Sequence, residues 1–482
     1  MIKLLKHPWI FLLASVVLTV IVKIPDLGLP YFFDETFSYY PAILEMAKVG
    51  PNMLPGTIPL ILAKGHPLFF YFTASLWLKF VTDDSIVMMR IFPMLIALLA
   101  LFVFHRFARR HTSIVLANVG VLLLSLQSLF LAQASLVLPE IFLFILVMLC
   151  FDSYLSGNFG WYAMFGSLMM LTKETGIVFI LAFGMAYLFE NFNERRTKVF
   201  WRKLLFMVIP LFVYLLFLFL HFRKFGVFFF SEHLHLISFE ATKVLYKLQS
   251  ATWTIFLAHG RNLLFFAAIA ALGIQLFRKQ EIRYRRLLIL SFWLLTVFLL
   301  FTILNFYVYR YVFPVLGIML LSSLALIQQI KIRYQALNIA FVIAILSFSG
   351  YHAATKRGQS DADLGYSQFL VVHQEMVKYC EQQGWNEKEI GAGFNMVMSL
   401  RDRFARYLST DKNFKTHHLP GIENRDIIIY DSTCWPYEMP ENEKSRLTLI
   451  KRFQYKEHWG EIYRTNNAKV PEPQPQKSMV KL

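Results

Sequence analysis

The chain has 482 residues, of which 57% are hydrophobic, 17% aromatic and only 16% charged. Since a soluble domain is about a quarter charged, this composition excludes a soluble enzyme, a disordered chain and a collagen-like chain. It indicates a polytopic membrane protein. The net charge of +17 is therefore attributed to basic loops on the cytoplasmic side of the membrane, and we predict no nucleic-acid partner.

Eleven apolar segments approach the roughly 20 residues that a helix needs to cross a bilayer. The first lacks a cleavage site of small residues, so it is interpreted as a retained helix rather than a signal peptide. The predicted spans lie at about residues 8–24, 86–106, 112–133, 137–155, 159–173, 176–190, 203–222, 262–277, 287–306, 311–330 and 336–353.

A further apolar segment, residues 66–81, is ambiguous, and charge decides its role. If it crosses the membrane, the basic cluster of Arg106, Arg109 and Arg110 lies outside, against the positive-inside rule. If it is a juxtamembrane helix on the outer surface, that cluster and every later basic cluster lie inside. We therefore predict an N-terminus inside and long outer loops at about 25–84 and 223–261.

The composition changes at Lys356, and about 125 residues follow the last span. Alternating helix and strand patterns there predict a small extracytoplasmic α/β domain, and the Pro-rich end, 471–482, is predicted to be disordered. The segment after Lys356 contains Cys380 and Cys434. These cysteines could form a disulfide bond in an oxidising compartment, but the sequence alone does not decide whether they do. We predict a transmembrane domain over 1–355 and a soluble domain over 356–482.

Charged residues near apolar segments are functional candidates, because burying a charge in a membrane is costly. Under the predicted topology such residues share the outer face, which favours a reaction between a lipid-borne substrate and an acceptor outside. Asp34 and Glu35 follow the first span and precede an amphipathic helix, so they are candidates for a general base or a metal ligand. The structural alternative is that Asp34 caps that helix.

The other candidates come from later outer segments. His66, before Pro67, could bind a metal or donate to a phosphate oxygen; otherwise it is a surface residue before a helix. Glu140 could bind substrate, or its negative charge could have the structural role of stabilising the N-terminus of its own helix through the helix dipole. Glu232 and His233 are tentative metal ligands with His66. Substrate or phosphate binding is predicted for six residues: His66, Arg90, Glu140, Lys173, Arg310 and Tyr311.

These motifs, in this order over most of residues 1–330, resemble the GT-C glycosyltransferases. The similarity is to the branch that contains protein O-mannosyltransferases and the aminoarabinose transferases of lipid A. Asp34 matches the catalytic Asp of that family's first-loop acidic motif. His66 with Pro67 matches the following Lys-Pro or His-Pro motif, which helps hold the lipid phosphate. Arg90 matches an Arg that opens the next span.

The later motifs are similar too. The segment LTKETG, which contains Lys173, resembles a Thr-Lys-x-x-Gly turn of the family. The segment FFFSEHL resembles a loop that can supply a metal-binding His. The pair Arg310-Tyr311 resembles the start of a late span. In two places the chain departs from the family. The acid of the second acidic motif moves from position 139 to Glu140, and Gly65 replaces a Glu, so a metal site copied from the aminoarabinose branch would lose one ligand.

The resemblance implies an all-α polytopic fold with juxtamembrane helices in the outer loops and an inverting glycosyltransferase. It would move a sugar from a polyprenyl-phosphate donor to an extracytoplasmic lipid, glycan or protein acceptor, with a divalent metal left open. The enzyme is predicted in the cytoplasmic (inner) membrane, among membrane lipids, with its site facing the periplasmic side. The alternatives are a polyprenyl-linked glycan ligase or flippase, a transporter, for which repeats and broken helices are expected, and a non-catalytic scaffold.

Overall fold

The computed structural model describes residues 7–82, 84–235, 237–305, 307–330, 335–358, 360–434 and 437–466. The chain forms two compact units. One consists of Met1–Leu27 and Ala42–Lys356, and the other of Gly28–Pro41 and Arg357–Leu482. The acidic segment of the first predicted loop therefore belongs to the same unit as the C-terminal residues.

The first unit is helical, and each of the eleven predicted segments contains at least one α-helix. The helices are α1 Ile10–Lys23, α2 Tyr40–Val49, which begins in the second unit, α3 Leu60–Ala63, α4 Phe69–Phe80, α5 Ile86–His111, α6 Ile114–Ser125, α7 Ser128–Gln133, α8 Glu140–Leu155, α9 Phe159–Thr172, α10 Gly176–Asn191, α11 Lys198–Phe225, α12 Ser231–Leu234, α13 Ala241–Thr252, α14 Arg261–Phe277, α15 Arg285–Leu304, α16 Phe313–Ile327 and α17 Gln335–Thr355.

The chain is a multi-pass membrane protein. In the described part, five helical segments are long and apolar enough to cross a bilayer: Ile86–His111, Gly176–Glu194, Lys198–Phe225, Arg285–Leu304 and Tyr309–Ile327. A sixth candidate is a broken span, in which Ala241–Leu257 meets Arg261–Phe277 at 86°.

Four of the remaining predicted spans, 8–24, 112–133, 137–155 and 159–173, form shorter helices than the apolar runs suggested, whereas α17 has 21 residues. The segment 112–133, for example, is divided at Gln127 into α6 and α7. In α8 the 16 residues rise about 24 Å, against a hydrocarbon core of about 30 Å. The helix in the ambiguous segment, α4, has 12 residues and rises about 18 Å, which is also less than the thickness of that core.

The most buried of the five candidate spans is Tyr309–Ile327, which contains α16 and is 83% buried. Aromatic side chains from two neighbouring helices, Phe104 of α5 and Phe144 of α8, pack against it. A Cβ atom at Gly317 would lie 2.8 Å from the Phe144 ring. Glycine therefore allows α16 to approach these rings closely, and α16 positions the residues just before it, Arg310 and Tyr311.

The second unit contains the predicted small α/β domain. Its helices are α18 Gly365–Gln382, α19 Phe394–Arg401 and α20 Glu441–Lys444, and its strands are β1 Glu389–Ala392, β2 Lys415–His418, β3 Ile427–Asp431, β4 Leu447–Tyr455 and β5 His458–Thr465. The sheet order is β2-β1-β3-β5-β4. Strand β1 pairs in parallel with β2 and β3, whereas β5 is antiparallel to β3 and β4.

Helix α18 packs on β4 and β5 because its apolar residues recur at helical spacing and bury one face. Val372 and Met376 join Ile390, Ile427 and Ile462 of the sheet in the core. The cysteines Cys380 and Cys434 are both buried and free, so no disulfide closes this unit. The predicted disordered end, 471–482, lies outside the described residues.

Candidate functional site

Three of the predicted site residues meet in a buried cluster of the first unit. Glu140 begins α8, Lys173 follows α9, and Arg310 lies in a short 3-10 turn, Tyr309–Val312, before α16. One oxygen of Glu140, Oε1, accepts hydrogen bonds from Lys173 Nζ at 3.0 Å and from Arg310 Nε at 3.2 Å. All three side chains are at most 4% exposed. Two cations therefore share one carboxylate in a place screened from water.

The fourth residue of this cluster is Tyr311, whose ring lies under both cations. The Lys173 Nζ atom is 4.0 Å from the ring centroid, and the Arg310 Cζ atom is 5.4 Å from it. The face of an aromatic ring attracts cations, so Tyr311 helps to hold them. The second oxygen of Glu140, Oε2, is buried without a hydrogen-bond partner among the described residues. A buried polar atom of this kind marks a place where an additional group could be bound.

A second pair lies next to this cluster in the sequence. His66 Nδ1 is 2.8 Å from an oxygen of Glu174, which follows Lys173 directly. Burial alone would raise the pKa of Glu174, but the charge and hydrogen bond of His66, with the charge of Lys173, lower that pKa to about 2. The Glu174 carboxyl is thus ionised at neutral pH and can orient the His66 imidazole.

The turn before His66 explains why a glycine precedes it. Gly65 has a φ of +73°, and a Cβ atom there would lie 3.2 Å from the Cβ atom of Phe230. Phe230 directly precedes α12, which carries Glu232, so the fold brings this loop to the His66 turn. Glu232 is exposed, and the side chain of His233 lies outside the described part. The described residues contain no group of three or more His, Cys, Asp or Glu side chains that could hold a metal.

Arg90 acts on the backbone of the loop that leads to Glu140. It is fully buried in α5, and its Nη1 donates to the carbonyl oxygen of Ser135 at 2.8 Å. A guanidinium that binds a carbonyl in this way fixes the path of the chain before α8. In the described geometry Arg90 therefore positions the Glu140 segment.

His221, near the end of α11, is not among the residues predicted from the sequence. It lines a small apolar cavity with His66, Phe217 and Phe225. His221 Nδ1 donates to the carbonyl oxygen of Val227 at 2.8 Å, while its buried Nε2 lacks a partner among the described residues. In the sequence His221 is only a histidine near the C-terminal end of an apolar run, and many histidines in such positions have a purely structural role.

Asp34 and Glu35 lie in the second unit, and their contacts are described within it. Glu35 is fully buried, and its Oε2 accepts a hydrogen bond from the backbone N–H of Phe32 at 2.9 Å. Asp34 is partly exposed, and its side chain does not cap the π-helical turn Glu35–Tyr39 that follows. The backbone-capping contact is thus made by Glu35, and Asp34 does not act as the helix cap that its position allowed.

The α/β domain holds this acidic segment from both ends. The N–H of Tyr31 donates to the carbonyl oxygen of Ala405 at 3.0 Å, and Arg406 Nη2 donates to the Tyr40 hydroxyl at 2.9 Å. Between them Phe33 has a φ of +46°, a conformation that is unusual for a residue other than glycine. Such backbone, together with a single π-helical turn, is frequent at functional sites.

No known protein-family profile matches the sequence, and no curated protein is significantly similar to it. Solved structures do match. ArnT from Cupriavidus metallidurans, bound to undecaprenyl phosphate, matches with a TM-score of 0.56 and 13% identity over 96% of this chain and 99% of ArnT.

An oligosaccharyltransferase from Archaeoglobus fulgidus in its apo form matches with a TM-score of 0.50 and 11% identity, over 88% of this chain and 70% of that chain. Its complex with zinc and sulfate matches with a TM-score of 0.46 and 12% identity, over 87% and 68%. ArnT and this oligosaccharyltransferase are both members of the GT-C superfamily. The fold of this chain is therefore the GT-C fold, as the resemblance in its motifs predicted.

Proposed function

We propose that this protein is an inverting glycosyltransferase that moves a sugar from a polyprenyl-phosphate donor to an extracytoplasmic acceptor. The observation that carries the proposal is the buried cluster in which Lys173 and Arg310 share Glu140. The likeness of nearly the whole fold to ArnT, which was crystallised with undecaprenyl phosphate, supports it. In this proposal residues 1–355 carry the transmembrane transferase and 356–482 the extracytoplasmic domain.

The chemistry follows from what each group can do. Asp34 accepts the proton of the acceptor hydroxyl as that oxygen attacks the anomeric carbon of the donor. The bond between that carbon and the phosphate oxygen breaks, and the polyprenyl phosphate leaves with the bonding electrons. Attack from the side opposite the leaving group inverts the anomeric configuration.

The leaving phosphate gains negative charge in the transition state, so cations fixed near it in advance lower the barrier. Lys173 and Arg310 are already ordered by Glu140 and Tyr311, which reduces the reorganisation that the reaction requires. We propose that His66, oriented by Glu174, donates to the same phosphate. Glu140, Arg90 and Tyr311 would act by holding these donors in place.

Each of these steps uses the protein's own side chains, and a divalent metal stays a separate prediction. The tentative set of His66, Glu232 and His233 stays a prediction, because the His233 side chain is not described.

The direct test is the product. Purified protein in lipid nanodiscs would be incubated with a panel of polyprenyl-phosphate sugars and with lipid, glycan and peptide acceptors, and the products identified by mass spectrometry. We expect one donor to be consumed with transfer of its sugar, and NMR of the product to show the inverted anomer. Movement of intact donor across a bilayer without release of its sugar would instead indicate a flippase.

A further inference from the structure

We propose that His221 binds a hydroxyl group of the donor sugar and so selects donors with a free hydroxyl on the ring carbon next to the anomeric carbon. This inference rests on the proposed function and specifies its donor. Every residue that carries it lies in the first unit.

The imidazole of His221 is held in one orientation. It lies one turn before the end of α11, and the residue is only 3% exposed. Its Nδ1 donates to the carbonyl oxygen of Val227 at 2.8 Å, across the turn in which Gly226 has a φ of +73°. The rings of Phe217 and Phe225 pack beside it, with centroids 5.9 and 4.9 Å away. Rotation of the imidazole would break this hydrogen bond and disturb both ring contacts.

The hydrogen bond to Val227 determines what the other ring nitrogen of His221 can bind. A carbonyl oxygen only accepts hydrogen bonds, so Nδ1 carries the hydrogen and Nε2 of the neutral ring carries a lone pair. Nε2 is buried, and none of the described residues donates to it. Since a buried acceptor without a donor is costly, this nitrogen marks a place for a group that donates a hydrogen bond.

The cavity at His221 is also lined by His66. The other lining residues are apolar or glycine, so these two imidazoles are the polar side chains of the described lining. The segment after α11 reaches the same place, because Phe230 packs on Gly65, directly before His66. In the proposed function His66 donates to the donor phosphate. The cavity therefore lies beside the place where the sugar begins.

The lone pair on Nε2 favours a hydroxyl group over a phosphate oxygen. An anion would be repelled by the lone pair, and burial in an apolar cavity opposes protonation of the ring. In the donor the phosphate is attached to the anomeric carbon, so the hydroxyl on the neighbouring ring carbon is the one nearest the phosphate. We assign this hydroxyl to His221. A water molecule and a metal ion are the other groups that an imidazole nitrogen binds, and the experiment distinguishes them.

The test measures donor binding separately from turnover. Kd values would be determined on the full chain in nanodiscs for polyprenyl-phosphate glucose, mannose, galactose and arabinose, for the 2-deoxy form of each, and for polyprenyl phosphate alone. We expect the sugar that is bound most tightly to lose about 10- to 100-fold in affinity in its 2-deoxy form, because Nε2 is then left without a donor.

Two substitutions separate this role from a structural one. His221→Asn keeps a side-chain N–H near the position of Nδ1, so it can still donate to Val227, but it has no atom in place of Nε2. It should weaken binding of the hydroxyl donor by about the same 10- to 100-fold and leave the Kd of the 2-deoxy donor and of polyprenyl phosphate unchanged. His221→Gln, whose amide oxygen can lie near the position of Nε2, should recover part of the preference. Phe219→Leu, at an exposed position of the same helix outside the cavity lining, should change no Kd.

Three results would overturn the inference. An equal loss for all ligands in folded His221→Asn would show a purely structural role. Equal affinity of the wild-type protein for the hydroxyl and 2-deoxy donors would show that water satisfies Nε2. Zinc present in the wild-type protein and lost from His221→Asn, measured by elemental analysis, would make Nε2 a metal ligand.

The two proposals can fail separately. The expected preference in Kd without any transfer of sugar would contradict the transferase. Transfer of sugar without that preference would contradict only the role of His221.

Discussion

Glu140 and Arg310 lie 170 positions apart in the chain, yet Arg310 Nε donates to Glu140 Oε1 at 3.2 Å in a buried part of the first unit. The same oxygen also accepts from Lys173. The Glu140 carboxylate therefore compensates the charge of two buried cations. Removing it leaves positive charges in a low-dielectric environment.

We therefore expect Glu140→Gln to destabilise the protein by about 3–5 kcal/mol, the usual cost of leaving a buried charge unpaired. Adding Lys173→Met should recover part of this loss, because one of the two cations is then removed. The measurement is the unfolding midpoint of each variant in detergent.

The exposed pair of Lys243 and Glu240, whose charged atoms are 2.7 Å apart, is the matched control. Glu240→Gln should leave the unfolding midpoint unchanged, because an exposed ion pair contributes little. If Glu140→Gln behaved like Glu240→Gln, the cluster would not be the fixed group of charges that the mechanism requires.

The pairing of Glu174 with His66 predicts a dependence of stability on pH. The pKa of Glu174 falls from an ordinary 4.5 to about 2 on folding, so the folded state favours the ionised carboxyl. The stabilisation is complete above about pH 5 and is lost as the pH falls from about 4.5 towards 2.

Unfolding midpoints of the wild-type protein and of Glu174→Gln, measured between pH 2 and 7, should therefore differ by a constant amount at neutral pH and converge in acid. Since a third of the Glu174 side chain is exposed, the difference should be modest. A difference that persisted unchanged down to pH 2 would show that the carboxyl is not held in its ionised form.

Charge patterning and the short α4 together predict the topology of the ambiguous segment. In the folded protein Lys79 of α4, Asp411 of the second unit and Arg109 of α5 are all exposed, and the three native cysteines are buried. A membrane-impermeant thiol reagent added outside should label Lys79→Cys and Asp411→Cys but not Arg109→Cys. Labelling of Arg109→Cys from outside would make residues 66–81 a span and reverse the helices that follow.

The helical membrane fold, the small α/β domain and most of the charged candidate residues could be predicted from the sequence, because each depends on the composition or charge of a short stretch of chain. It singled out Glu140, Lys173 and Arg310 as costly charges near apolar segments. It could not predict that they share one oxygen, because that contact depends on how α8, α9 and α16 pack. It did not identify the strand Lys415–His418, whose residues are all polar.

The roles of two neighbouring acids also required the structure. In the sequence Asp34 and Glu35 differ only in their match to a motif. In the fold Glu35 is buried against the backbone of Phe32, whereas Asp34 is partly exposed.

The last prediction concerns Asp34 as the base. Asp34→Asn keeps the size and much of the hydrogen bonding of the side chain but removes the proton acceptor. We expect turnover to fall about 100- to 10,000-fold with little change in the unfolding midpoint, because Asn has nearly the same size and shape as Asp. The measurement is the rate of sugar transfer per folded molecule at saturating donor.

Glu35→Gln and Asp411→Asn are the controls. Glu35→Gln should act mainly on stability, since a neutral amide oxygen can still accept from the N–H of Phe32, and its turnover per folded molecule should stay within about tenfold of wild type. Asp411→Asn, at an exposed position of the same unit, should change neither quantity. A well-folded Asp34→Asn variant with wild-type turnover would remove Asp34 from the mechanism. The proton of the acceptor hydroxyl would then need another acceptor, because the cations of the buried cluster cannot take it.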